Sequence, residues 1–440
     1  MINPQLQNWM LDRPNMEKDN PQGLSRRALR PSLKRITTLC KYLGDPQLGI
    51  DAIHITGTNG KTTTSRLVEK LMSIKGLTTG LMASPHLSVL NERIMINGEN
   101  ISDFDFENIL MMILKLENDI EEIYSDAPSY FEIMVAAGFY EMSSNAVDVG
   151  VIEVGMGGLY DATNICESKV SVITNISLDH IAYLGDNVND IALEKSGIIK
   201  ENSTVVIGAE DEEVVALLKN VAKEKNTRAY VFGEDFQLLK NDQAVGGRML
   251  SLQTPYGYCE DIFLPILGAH QGNNALTSLV ACESFVDDCF GDEIIREAFD
   301  KSSSPGRMEI ISRNPMVLID GAHNVSGAQT LATAIAEEFM APRRIYILGF
   351  TKEKDPIAMI NALNIDDDDV VIACKANSEK AMDPRLIVEA GKEIGIENIS
   401  VREMPSEAID FAQSIAFDDD HIIVTGSLYI VGEVRSHLLN

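Results

Sequence analysis

The chain predicts an α/β protein in two parts: a parallel-sheet domain followed by a smaller Rossmann-like α/β domain. Three observations carry this. Short Val/Ile-rich runs alternate with longer amphipathic stretches from Ile53 onward, a Gly-rich turn joins the first such run to the first helical pattern, and a Ser-Ser-Ser-Pro-Gly break interrupts the series at Ser302–Gly306.

The strand candidates are 52–56, 147–154, 170–176, 204–207, 316–319, 344–349, 370–374 and 421–425. Several are near-continuous β-branched runs, the pattern of parallel strands covered on both faces. Residues 62–75 read as a helix, with Leu67, Leu71 and Ile74 on one face. At 440 residues the chain exceeds one ordinary core. Small residues with Pro-Gly mark a domain boundary, giving domains 1–301 and 302–440.

Composition narrows the class. Apolar residues make up 45% and charged residues 23%, as in globular proteins. A net charge of −29 opposes a nucleic-acid partner, because a polyanion is repelled over most of the surface. Residues 1–20 hold no apolar run fit for a signal peptide, and no stretch reaches the ~18 apolar residues of a membrane span. Six scattered cysteines without a Cys-x-x-Cys pair support neither zinc nor a disulfide framework, so the expected compartment is the cytoplasm. The acidic runs Asp366–Asp369 and Asp418–Asp420 are expected to face solvent.

The Gly-rich turn is Gly57-Thr58-Asn59-Gly60-Lys61-Thr62-Thr63, between a strand and a helix. That context suits a phosphate-binding loop. Glycines let backbone N–H groups approach phosphate oxygens, and the helix N-terminus adds partial positive charge. Lys61 is expected to reach the β/γ-phosphates of ATP, with the Thr62 or Thr63 hydroxyl near Mg²⁺. Two residues separate Gly57 from Gly60, where the Walker pattern has four.

This shortened loop resembles that of the Mur ligase superfamily. The chain as a whole resembles the dihydrofolate synthase/folylpolyglutamate synthase family. The likeness runs through Ser84–Leu87, Glu92–Ile94 with Asn97-Gly98, Tyr130–Glu132, Glu153–Gly158 leading into Asp161–Asn164, Asp179-His180 and Glu194–Gly197. It continues through Gly268–Gln271 with Asn274-Ala275, Pro305–Arg307, Asp320–Asn324 and Thr425–Tyr429. Their order and spacing together make the likeness specific.

The resemblance implies a ligase. ATP phosphorylates a pterin-bearing carboxylate, and the amine of L-glutamate attacks the acyl phosphate. Dihydropteroate, reduced folates or both serve as the acceptor. It also implies Mg²⁺, two ions in all, on Ser84, Glu153, His180 and Thr62, with Lys195 carbamylated by CO₂ and bridging to the second. Lys61, Lys195, His180 and Arg307 are the implied catalytic residues. Gly57–Thr63, Asn274, Arg307 and Asp320 are the implied ATP contacts. Substrate contacts fall on Gly23, Leu24, Tyr130, Phe131, Glu132, Tyr160, Asp161 and Ala162, with His323 and Ser427 for the glutamate or phosphate environment. A monomer is expected.

Residue by residue, other readings stand beside these. Glu153 ends an apolar strand, where ligands bind in open α/β sheets, but a buried carboxylate also serves as a cap or ion-pair partner. Lys195 also reads as a surface helix lysine paired with Glu194, Arg307 as a hinge partner of Glu309, and Phe131 as a core residue. Leu159 stands where the family often has Arg, and Val325 where it often has Pro. Two rival functions remain. One is a Mur ligase acting on a nucleotide-sugar peptide, disfavoured by the short segment before the loop. The other is a phosphate-loop binding protein without ligase activity.

Overall fold

The computed structural model describes residues 2–15 and 32–439. Gly23 and Leu24 lie outside the described residues. The chain divides into two compact units, one of residues 1–242, 249–265 and 271–302, the other of 243–248, 266–270 and 303–440.

The first unit is built on eight strands: β1 (Ala52–Thr56), β2 (Thr79–Met82), β3 (Ile94–Ile96), β4 (Glu99–Asn100), β5 (Val149–Glu153), β6 (Ser168–Ile173), β7 (Thr204–Ile207) and β8 (Arg228–Val231). Their spatial order is β4-β3-β2-β5-β1-β6-β7-β8, and from β2 to β8 all pairings are parallel. Every residue of β1, β2 and β5 is buried, which is why these segments carry so few charged residues. Each fully buried Ile or Val side chain there contributes on the order of 2 kcal/mol relative to exposure. The helices Tyr130–Ser144 and Asp103–Tyr124 supply Phe139, Met142, Phe106 and Leu110 to the main apolar cluster of this unit.

β1 lies between β5 and β6, so three loops gather at the carboxyl ends of neighbouring strands. In register, Ile55 pairs with Glu153 and Thr56 with Ile173. This is where open α/β sheets present their ligand sites.

A three-stranded sheet follows, ordered β11-β10-β9, from β9 (Gln237–Ala244), β10 (Gly247–Gln253) and β11 (Tyr258–Leu264). Sequence patterning does not reveal it, because β9 carries polar residues on both faces.

The second unit holds β12 (Glu309–Arg313), β13 (Met316–Ile319), β14 (Arg344–Leu348), β15 (Val370–Ala373), β16 (Ile399–Val401) and β17 (His421–Thr425), in the order β12-β13-β17-β14-β15-β16. Only β12 is antiparallel. The fold is therefore α/β with a parallel sheet in each unit.

One expectation needs correction. Asp366–Asp368 and Asp418-Asp419 are exposed, but the last residue of each run is buried. Asp369 accepts from the Arg344 and Asp366 N–H groups at 2.7 and 3.1 Å. Asp420 pairs with the Arg343 guanidinium and accepts from the Phe417 N–H at 2.8 Å. Each leads directly into a buried strand, so both serve as structural anchors for the start of β14.

Candidate active site

The loop after β1 is shaped by two glycines. A Cβ on Gly57 would lie 1.8 Å from Thr174 Oγ1, and one on Gly60 would lie 2.5 Å from Asn274 Oδ1. Gly60 has φ +84°, open to glycine at little cost, and no side chain caps the helix Lys61–Ile74 that it starts. The N-cap position thus offers no side-chain acceptor to the first N–H groups of that helix.

The segment after β6 clasps the loop. Thr174 Oγ1 donates to Asn59 O at 2.7 Å, Asn175 Oδ1 accepts from the Asn59 N–H at 2.7 Å, and Thr58 Oγ1 donates to Ser177 O at 3.1 Å. Sequence reasoning missed Thr174, Asn175 and Ser177. The only signal was their place just beyond a strand, and the adjacency of β6 to β1 is a tertiary fact.

Two lysine side chains meet at one carbonyl. Lys61 Nζ donates to Gly57 O at 3.0 Å and to Thr58 O at 3.2 Å, and Lys195 Nζ donates to the same Gly57 O at 2.8 Å. Lys195 is buried at the end of the helix Val188–Lys195, so it is not a surface lysine. Burial, reinforced by the nearby Lys61 charge, pushes its pKa down to about 7.

Across the loop, Glu153 is buried at the end of β5. Its Oε1 accepts from the Thr62 hydroxyl at 2.9 Å and its Oε2 from the Ser84 N–H at 3.4 Å. Thr62, Ser84 and Glu153 thus come together, while Thr63 is buried on the helix. His180 stands after β6 with a left-handed backbone, its Nε2 3.8 Å from Asp179 Oδ2. Among the described residues no three His, Cys, Asp or Glu side chains group as a metal cage.

A cavity opens beside Glu153, lined by Ser84, Met82, Arg93, Phe131 and Met134. Arg93 is buried, donates from Nε to His86 Nδ1 at 2.9 Å, and stacks over the Tyr130 ring 5.2 Å from its centroid. Tyr130 is core, whereas Phe131 borders both the cavity and Gly155, whose Cβ would lie 2.5 Å from its ring. Glu132 caps its own helix with Ser129 and pairs with Arg35 at 2.7 Å.

The turn Gly155–Gly158 is held from within. Asp161 accepts from the Met156 N–H at 2.9 Å and from the Thr163 N–H and hydroxyl at 3.0 and 2.5 Å. Burial raises the Asp161 pKa against those bonds. Tyr160 donates its N–H toward Glu194 Oε1 at 3.4 Å, and Ala162 is buried. Leu159 is backbone-anchored to Glu194 O at 2.9 Å with its side chain exposed.

In the second unit, Arg307 donates to Gly321 O at 3.1 Å. Glu309 is taken by Arg435, with three contacts of 3.0–3.1 Å, so it is not the partner of Arg307. Asp320, its pKa raised by burial, accepts from the Met308 and Ala322 N–H groups at 2.9 and 2.8 Å. His323 Nδ1 lies 2.9 Å from Gly321 O, and Ser427 is buried at the start of the last helix.

Comparison with known proteins agrees with this geometry. Residues 55–282 match the Mur ligase middle domain, and residues 306–428 match the Mur ligase glutamate ligase domain. A dihydrofolate synthase/folylpolyglutamate synthase of Mycobacterium tuberculosis is 36% identical over 439 residues, spanning 92% of this chain and 90% of that protein. A crystal structure of Mycobacterium tuberculosis folylpolyglutamate synthase, complexed with ADP and AMPPCP, gives a TM-score of 0.89 at 35% identity, covering 93% of this chain and 96% of that one. An FPGS–AMPPCP–folate complex gives 0.84 at 27% identity, covering 100% of each chain. With motifs, fold and relatives in agreement over more than nine-tenths of its length, the chain belongs to the dihydrofolate synthase/folylpolyglutamate synthase family of Mur ligases.

Proposed function

We propose that the chain is an ATP-dependent carboxylate–amine ligase that adds L-glutamate to dihydropteroate, to reduced folate (poly)glutamates, or to both. The observation that carries this is Glu153, which takes the Thr62 hydroxyl on one oxygen and the Ser84 N–H on the other. It joins the phosphate loop to the wall of the cavity that holds Phe131 and Arg93. A nucleotide phosphate and a carboxylate substrate can thereby meet at one carboxylate.

In this reading Gly57–Thr63 and Asn274 hold the ATP phosphates, with Lys61 as the cation and Arg307 and Asp320 as further nucleotide contacts. Phe131 supplies an apolar face to a flat heterocycle. Asp161 fixes the turn that completes the substrate wall, and Tyr160 and Ala162 flank it. His323 and Ser427 serve the glutamate side. The acceptor carboxylate attacks the γ-phosphorus and ADP leaves; the glutamate amine then attacks the acyl carbon, and phosphate and a proton are released.

Thr62 and Glu153, with Ser84 beside them, would hold Mg²⁺ through oxygen, and His180 is the nitrogen donor that the resemblance implies. An ion held there would offset charge on the transferred phosphoryl group. A second Mg²⁺ would rest on Lys195 as a carbamate. A buried amine with a pKa near 7 supports this, since it is available to CO₂ in its neutral form.

The test is phosphate release with ATP and glutamate, using dihydropteroate, tetrahydrofolate or a UDP-sugar peptide precursor as acceptor. Glutamate-dependent release with one or both pterins is expected. Release with the UDP-sugar alone would assign a peptidoglycan-type activity, and none despite ATP binding would assign a binding module.

A further inference from the structure

His54 lies at the centre of β1, fully buried, three residues before the phosphate loop. Its Nε2 is 2.8 Å from Thr163 Oγ1. The Thr163 hydroxyl has one proton, which it donates to Asp161 Oδ1 at 2.5 Å. The His54–Thr163 bond must then run the other way, with Nε2–H donating to the hydroxyl oxygen. That leaves Nδ1 unprotonated. It has no partner among the described residues, and an orphaned acceptor is better tolerated than an orphaned donor. Burial holds the ring neutral, with a pKa pushed down to about 3.

The chain continues, because Asp161 Oδ2 accepts from the Met156 N–H. Two residues along β1, on the same side of the strand, Thr56 donates its hydroxyl to Gly157 O at 2.6 Å. The strand that feeds the phosphate loop therefore grips the Gly155–Gly158 turn at two points. That turn lies against Phe131 on the cavity wall.

We propose that His54 is a positioning residue for the acceptor substrate: as an Nε2–H donor it orients Thr163 and Asp161, and through them the turn that borders the pterin side of the cavity. The inference rests on the ligase reading above. His54 touches neither the phosphate loop nor the substrate; it acts through Asp161.

Kinetics of three variants test it. His54→Leu removes the donor, and Thr163→Val cuts the chain at its next link with nearly unchanged volume. His54→Gln keeps an N–H near the Nε2 position. His54→Leu and Thr163→Val should each raise KM for the pterin substrate about tenfold, the factor for one buried hydrogen bond, with KM for ATP within about twofold. The double variant should be no worse than either single one, and His54→Gln should recover most of the loss. Equal rises in both KM values, or a Gln variant no better than Leu, would overturn the proposal, because general loosening has those effects. Should the Leu variant fail to fold, ¹⁵N-imidazole spectra of the wild-type chain still decide. The Nε2–H tautomer is required, and an Nδ1–H tautomer refutes the chain. This readout needs no turnover, so it is separable from any failure of the ligase assignment.

Discussion

Glu283 shows how a single buried group couples stability to pH. It lies in the helix His270–Val286, where its Oε1 accepts from the Phe290 N–H at 3.1 Å. Burial pushes its pKa from 4.5 up to about 7, against the bonds from Thr254 and Phe290. Between those two values the folded chain keeps a proton that the unfolded chain has released, so stability falls as pH rises through that window. Glu283→Gln removes the titration. Melting temperatures of the two proteins should run together near pH 4.5, with the variant gaining on the wild type up to pH 7. Parallel curves across that range would exclude the effect. Nothing in the sequence around Glu283 marks it, since its cost arises from what packs over it.

At the scale of elements, the two acidic runs separate position from composition. Asp367 is exposed, whereas Asp369 holds two backbone N–H groups that fasten β15 to the start of β14. Asp369→Ala should cost the second unit about 2 kcal/mol, the penalty for stranding buried donors. Asp367→Ala should stay within about 0.5 kcal/mol. Urea denaturation of both variants measures the difference, and equal losses would refute it. The same contrast explains what could be read in advance. Strands β1, β7, β13 and β17 lie at the expected bounds, because Val/Ile runs buried on both faces leave no other period to choose. The strands β8 to β11 escape, because polar and charged residues interrupt their apolar runs, although Leu250, Leu252, Ile262 and Leu264 are buried. The loop from Gly57 to Thr63 was legible from its glycines and lysine. Its clasp from Thr174 to Ser177 was not, because it lies more than a hundred positions away in the chain.

For the molecule as a whole, Arg307 is a proposed nucleotide contact carried by the second unit. Removing the guanidinium of Arg307 should then lower turnover on the order of a hundredfold, by loss of charge stabilisation on the transferred phosphoryl group. Among the described residues its side chain makes one hydrogen bond, to Gly321 O, and its charge also favours the buried Asp320 carboxylate, so the melting temperature of Arg307→Ala should fall only modestly. Unchanged kcat in a well-folded variant would remove Arg307 from the reaction.

The Gly57 carbonyl, which accepts from the Lys61 ammonium beside the buried Lys195, bears on how a nucleotide arrives. The chain carries a net charge of −29, so a polyphosphate is repelled by most of the surface it meets. The Lys61 charge is felt only within about one Debye length, ~8 Å at physiological salt. Capture is thus a short-range event at the end of an uphill approach, and moderate salt, which weakens most steered encounters, hastens this one.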